Sequence, residues 1–242
     1  MSQSFGIVEE KLHESEFFLT RLGESRRVDY AARFYFSAFV SAARSVTWCL
    51  QATMSEVPEF RDWYKSAQDR LKMDPLARLF VEIRNSSQKR GLNPLNRVSL
   101  DHLREDLAQQ LSGSERGHVL VLPRVHNDEA TTLVDALGAS ELYFTSLVAL
   151  VFECYEQFRC VVDPQWHFTR ENFATNGRTF EDAVSELGFP AGWASSALRA
   201  VAEDEAWRIL RADQPACGIN DLFRKYVGRV IASPDQTSKM GN

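Results

Sequence analysis

Residues 28–53 constrain the fold more than any other stretch of the chain. Tyr30, Phe34, Tyr35, Phe36, Ala38, Phe39, Val40, Ala42, Val46, Trp48 and Leu50 leave only a narrow polar line of Arg33, Ser37, Ser41 and Arg44 or Ser45. That line recurs every three or four residues, so on a helix it occupies one side. A helix that is apolar around the rest of its circumference belongs in the middle of a bundle. The polar line then faces either water or an internal groove.

The neighbouring segments repeat the helical period. Residues 7–22 carry Val8, Leu12, Phe18, Leu19 and Leu22 among charged residues, a one-sided stripe ending at Gly23. Pro58 suits the first turn of a third helix that runs to about Met73 through Phe60, Trp63, Tyr64, Ala67 and Leu71. Asp74-Pro75 reads as an N-cap followed by a proline at the first helical position. Leu76, Leu79, Phe80 and Ile83 then recur at i, i+3, i+4 and i+7. From about Glu141 to Val162 a strongly apolar helix returns, ended by Asp163-Pro164.

Between these lies an insertion of about residues 92–135, β or irregular in character. Leu100, Leu103, Leu107 and Leu111 fit a helix, whereas residues 117–123, an apolar run bounded by Gly117 and Pro123, fit a strand. A lone strand needs a partner, such as residues 95–100 or a second chain. After Pro164 come shorter helices: Thr179 with Asp182 forms a capping box, Gly188 closes that helix, and Leu198–Leu210 and Asn220–Ile231 are amphipathic. The expected division is a bundle over residues 1–163, a helical C-terminal extension over 164–231 and a disordered tail over 232–242.

Composition narrows the function classes. The net charge of −5 argues against nonspecific coating of nucleic acid, yet Ile83–Leu100 holds Arg84, Lys89, Arg90 and Arg97 and no acid. No segment approaches the apolar run needed to cross a bilayer, and the start lacks a basic region followed by an apolar stretch, so a cytoplasmic location is expected. The four cysteines lie inside helical patterns, and no CxxC or Cys/His pair has zinc-ligand spacing. No metal or cofactor is expected. There is no Gly-rich phosphate loop, no Ser nucleophile elbow and no paired carboxylates at catalytic spacing.

The run Phe80-Val81-Glu82-Ile83-Arg84-Asn85-Ser86-Ser87-Gln88-Lys89-Arg90-Gly91 closes the fourth helix with an Arg-Asn pair. In Phe80, Arg84 and Asn85, and in the long apolar second helix and the later aromatic-rich one, residues 7–163 resemble the HEPN nucleotide-binding and ribonuclease families. The resemblance implies an all-α, HEPN-like helical bundle, commonly a homodimer and commonly part of a bacterial toxin–antitoxin or defence system. Its partners would be RNA or a nucleotide, and an antitoxin or other protein. In the nucleases the implied reaction is metal-independent RNA cleavage, with Arg holding the phosphate and a His four to six positions on moving a proton at the 2′-hydroxyl. Here Lys89, Arg90 and Gly91 stand where that His belongs.

A lysine holds a phosphate as well as a histidine does, but with a reference pKa of ~10.4 it is a poor proton shuttle near neutrality. Binding survives the exchange more easily than catalysis. The expected reading is a binding module, with Arg84, Asn85 and Lys89 at the degenerate catalytic positions and Arg84, Lys89, Arg90, Arg97, Arg33 and Arg44 as the nucleotide- or RNA-binding set. One alternative is a ribonuclease using Lys89 or a distant histidine, His102 or His118 before His13, His126 or His167. Another is a structural domain in which Arg84 and Asn85 only bridge helices. Lys89 and Arg90 also suit the last turn of a helix ended by Gly91, where cations favour the negative end of the dipole. Trp166-His167-Phe168 fits either a stacking platform for a base or packing after a helix end.

Overall fold

A computed structural model describes residues 5–25, 30–91, 95–98, 119–121 and 135–237. The fold is all-α apart from one two-stranded ribbon, and the chain divides into two compact units, Met1–Leu150 and Val151–Asn242.

In the first unit α1 (Gly6–Glu24) packs on α2 (Tyr30–Met54), α2 on α4 (Pro75–Arg90), and α4 also on α3 (Phe60–Met73). Gly23 does not end α1, which runs one residue further and closes through Ser25, whose N–H donates to the Arg21 and Leu22 carbonyls. Asp74 caps α4 as its sequence predicts: its carboxylate accepts the Leu76 N–H at 2.8 Å, with Pro75 at the first helical position. Gly91 ends the helix at φ 65°, a left-handed conformation that favours glycine, and its N–H donates to the Ser87 carbonyl.

The core of this unit is aromatic. Phe80 of α4 stacks face to face on Tyr143, with ring centroids 4.5 Å apart and planes 7° from parallel. Phe39 meets Phe80 edge-on at 6.0 Å, and Phe36 lies at 6.3 Å. Tyr143 belongs to α5 (Ala136–Gln157), which starts five residues earlier than the apolar pattern indicated. The reason is Asp135, whose carboxylate accepts the Leu137 and Gly138 N–H groups and so caps the helix. The expectation that no segment is apolar enough to span a bilayer does not hold on length and composition alone, since α5 meets both conditions. Tyr143, Phe144, Leu147, Val148 and Val151 of this helix are nevertheless buried in protein.

Part of the insertion is visible as the ribbon. β1 (Asn96–Val98) pairs antiparallel with β2 (Val119–Val121), Arg97 opposite Leu120, so the run at 117–123 has the partner expected for it near 95–100. The helix expected around Leu100–Leu111 lies outside the described residues.

In the second unit the single helix expected to reach Val162 breaks at Phe158 and resumes as α6 (Arg159–Val162). Asp163 caps α7 (Pro164–His167), Thr169 caps α8 (Arg170–Thr175), and Thr179 with Asp182 forms the capping box of α9 (Phe180–Glu186). The amphipathic stretch at 198–210 is two helices, α10 (Trp193–Ala200) and α11 (Glu203–Ala212), because Ala202 is extended between them. Phe168, Phe173, Phe180, Val184, Trp207 and Leu210 gather into the core. α12 (Asn220–Val227) ends at Gly228. The tail expected to be disordered carries a helical turn, α13 (Pro234–Thr237), held by an Arg211–Asp235 ion pair at 2.5 Å.

Candidate functional site: an arginine pair on one indole

Phe80 positions the site. It is locked by three aromatic neighbours, and Arg84 follows one turn later on the same face of α4, so the buried ring fixes the direction in which the arginine leaves the helix. Arg84 is half-buried and its guanidinium lies 4.6 Å from the centre of the Trp48 ring on α2. Arg44, one turn before Trp48, places its own guanidinium 5.1 Å from the same ring. Both distances are within reach of a cation–π attraction. They leave the two cations less than about 10 Å apart, on the order of a Debye length, so each raises the other's demand for an anion.

Neither arginine has an acidic partner among the described residues. Arg84 makes one long hydrogen bond, 3.4 Å to the Asn85 amide oxygen, and Arg44 donates to the Thr47 hydroxyl at 2.9 Å. Thr47 is tied in turn through its carbonyl, which accepts the Tyr64 hydroxyl at 2.9 Å.

Two hollows flank this pair. Ser37 and Ser41 of α2 line a narrow cleft with Ile83, Arg84 and Ser87 of α4, so this part of the polar line faces the fourth helix. The cleft is about 10 Å³, enough for a water and too small for a phosphate. The second hollow, about 340 Å³, lies among α2, α3, α4 and Tyr143 of α5. Its apolar surface comes from Trp48, Tyr64, Leu71, Ala77, Val81 and Tyr143, and its polar surface from Thr47, Gln51 and Gln68, the cations Arg44, Lys72 and Arg78, and the single acid Glu82. Burial pushes the Tyr143 hydroxyl up to about 12, while Arg44 pulls it the other way. Burial raises Tyr64 as well, against the bonds from Gln68 and Thr47 and the charge of Arg44.

The expected site residues separate. Arg84, Asn85 and Arg44 come together; Arg33 is half-buried and lines neither hollow. Lys89 is exposed in the last turn of α4, the position that favours the helix dipole, and does not join Arg84. The side chains of Arg90 and Arg97 lie outside the described residues, as do His102, His118 and His126. His13 is exposed on α1 and lines neither hollow. His167 is engaged in the second unit, Nδ1 against the Cys160 carbonyl at 3.1 Å and Nε2 against Glu186 at 2.8 Å. Its neighbour Phe168 is core and Trp166 donates to the Ala232 carbonyl at 2.9 Å, so within this unit the aromatic trio is packing. No group of three or more metal-ligating side chains occurs among the described residues.

Trp48 is the residue the sequence reading misplaced. It counts there among the apolar residues that bury α2, yet it is 44% exposed, as are Tyr30 and Phe34 to a greater degree. The signal was available: Trp48 follows Arg44 by four and continues the line of Arg33, Ser37, Ser41 and Arg44.

The family described as Bacteriophage lambda protein ea47 matches residues 29–104. The chain is similar to it across α2, α3 and α4, which include Arg44, Trp48 and Arg84. No curated protein and no solved structure matches the chain.

Proposed function

We propose that the chain is a HEPN-like module that binds a nucleotide or RNA through Arg84 and Arg44 without cleaving it efficiently. The observation that carries this reading is the pair of guanidiniums on one exposed indole, with no carboxylate partner among the described residues. Such an arrangement offers charge to a phosphate and an aromatic edge to a base. Lys89, exposed and away from the pair, supports binding over catalysis. The setting implied by the resemblance is a homodimer in a toxin–antitoxin or defence system, and the sequence reading adds a cytoplasmic location.

Fluorescence anisotropy with a short labelled single-stranded RNA tests the reading. Arg84→Ala weakens binding and Lys89→Ala leaves it nearly unchanged; binding indifferent to Arg84→Ala refutes the proposal. Incubation with RNA in excess chelator leaves the strand intact. Cleavage that Arg84→Ala abolishes replaces the binding reading with the ribonuclease one. A structural reading draws on the same contact, since Arg84 on Trp48 joins α4 to α2. It prevails if Arg84→Ala lowers stability and no RNA or nucleotide binds the unaltered protein.

A further inference from the structure

The 340 Å³ hollow beside the arginine pair has a rigidly held tyrosine in its wall. Tyr143 is 3% exposed, and its ring is clamped face to face on Phe80, which prevents the hydroxyl from swinging elsewhere. Tyr143 lines the hollow, and burial rather than a hydrogen bond within the described residues sets the behaviour of its hydroxyl. A guest that expels water from the hollow would have to replace the hydrogen bond this hydroxyl can make to solvent. A hydrocarbon guest would leave it unpaired. A guest with hydrogen-bonding edges and a flat apolar body would satisfy it and lie against the Trp48 and Tyr64 rings as well.

Resting on the nucleotide reading above, we infer that this hollow receives a single nucleobase, whose edge bonds the Tyr143 hydroxyl while its phosphate stays outside at Arg44 and Arg84. The size argues for one base, because about 340 Å³ is near the lower end of the roughly 300–1,000 Å³ range of small-molecule sites. The charge argues for an anion at the mouth: Arg44 belongs to both the hollow and the indole pair, and it is close enough to act on both tyrosine hydroxyls. The base is that of a free nucleotide or of the terminal nucleotide of an RNA strand.

Isothermal titration of the full chain with the four nucleoside monophosphates, with ribose 5-phosphate and with a short single-stranded RNA decides the matter. The expected result is that at least one monophosphate, or the RNA, binds about tenfold or more tightly than ribose 5-phosphate. Tyr143→Phe keeps the ring and its stack and loses only the hydroxyl; it weakens that binding by roughly 5- to 10-fold, the loss of one hydrogen bond. Ala77→Leu, which fills the hollow from α4, weakens it further. Tight binding of a monophosphate alone identifies the free nucleotide. Tight binding of RNA that is lost when its terminal nucleotide is made abasic identifies the strand end. If base-bearing ligands bind no better than ribose 5-phosphate and Tyr143→Phe is silent, while Arg84→Ala still abolishes binding, the base pocket is refuted and the anion site stands. If neither RNA nor any monophosphate binds, both readings fall.

Discussion

Replacing Phe80 by alanine tests whether the aromatic cluster is what holds the site together. Phe80 is 2% exposed and touches three rings: Tyr143 in a parallel stack, Phe39 edge-on and Phe36 at an angle. Truncating a fully buried phenylalanine costs about 3–5 kcal/mol, since the transfer energy is lost and the surrounding cavity collapses only in part. Two of the three ring pairs have favourable geometry, which places the cost in the upper part of that range. The better helix propensity of alanine offsets only a few tenths of a kcal/mol. Urea unfolding followed by tryptophan emission measures the loss, and hydrogen exchange of the α4 amides localises it to the first unit. Phe80→Leu retains most of the volume and costs less. A loss below about 1 kcal/mol for Phe80→Ala, with the denaturant slope unchanged, would show that Phe80 is not the anchor and that Arg84 owes its direction to something else.

Asp74→Ala removes the α4 cap and costs about 1 kcal/mol, read as a lower urea midpoint; Asp74→Asn, which still accepts the Leu76 N–H, restores most of it. Tyr143 holds its proton up to about 12 because it is buried, so the stability tied to the protonated form is complete below about pH 10 and is lost as pH rises towards 12. Over that window the unaltered protein loses about 2–3 kcal/mol relative to Tyr143→Phe, and parallel midpoints from pH 9 upward would refute the assignment. Burial pushes Glu186 up, but the bonds from Arg178 and His167 outweigh it and hold the carboxyl below its usual range. The stability it contributes is present above the ordinary glutamate value of 4.5 and is lost as pH falls through the depressed one. Glu186→Gln therefore flattens the acid limb of the urea-midpoint profile, and an unaltered limb would show that these bonds do not matter.

The helices were legible where the chain carries its own punctuation. Asp74-Pro75, Gly91 and the Thr179–Asp182 box each act within four residues, so a local reading finds them. Starts that depend on a cap outside the apolar pattern were missed, as at Asp135, whose two bonds extend α5 towards its N-terminus. Breaks such as Ala202 were missed because an amphipathic period continues across them while the backbone does not. At the site, Arg84 stood out because it interrupts an apolar run, whereas the hollow is assembled from four helices and no spacing within one of them betrays it. The misreading of Trp48 has the same origin. An indole on an apolar helix looks like core until the neighbouring helix delivers a second cation to its ring.

The geometry also bears on what replaces the histidine of the resembled nucleases. Five residues separate Arg84 from Lys89, which on a regular helix turns the second side chain by ~140° from the first. Because α4 stays helical through Arg90 and closes only at Gly91, no fraying brings the lysine round, and it ends exposed while Arg84 lies on the packed face. A proton shuttle has to come within hydrogen-bonding reach of the 2′-hydroxyl whose phosphate Arg84 would hold, and Lys89 projects away from that face. The groups beside the Arg84 guanidinium include the Asn85 amide oxygen, which accepts from it, and the Trp48 indole that it shares with Arg44, and none of these is an effective proton acceptor near neutral pH. On α4 the arginine that would hold a phosphate and the lysine that would move a proton therefore lie on different faces of the helix.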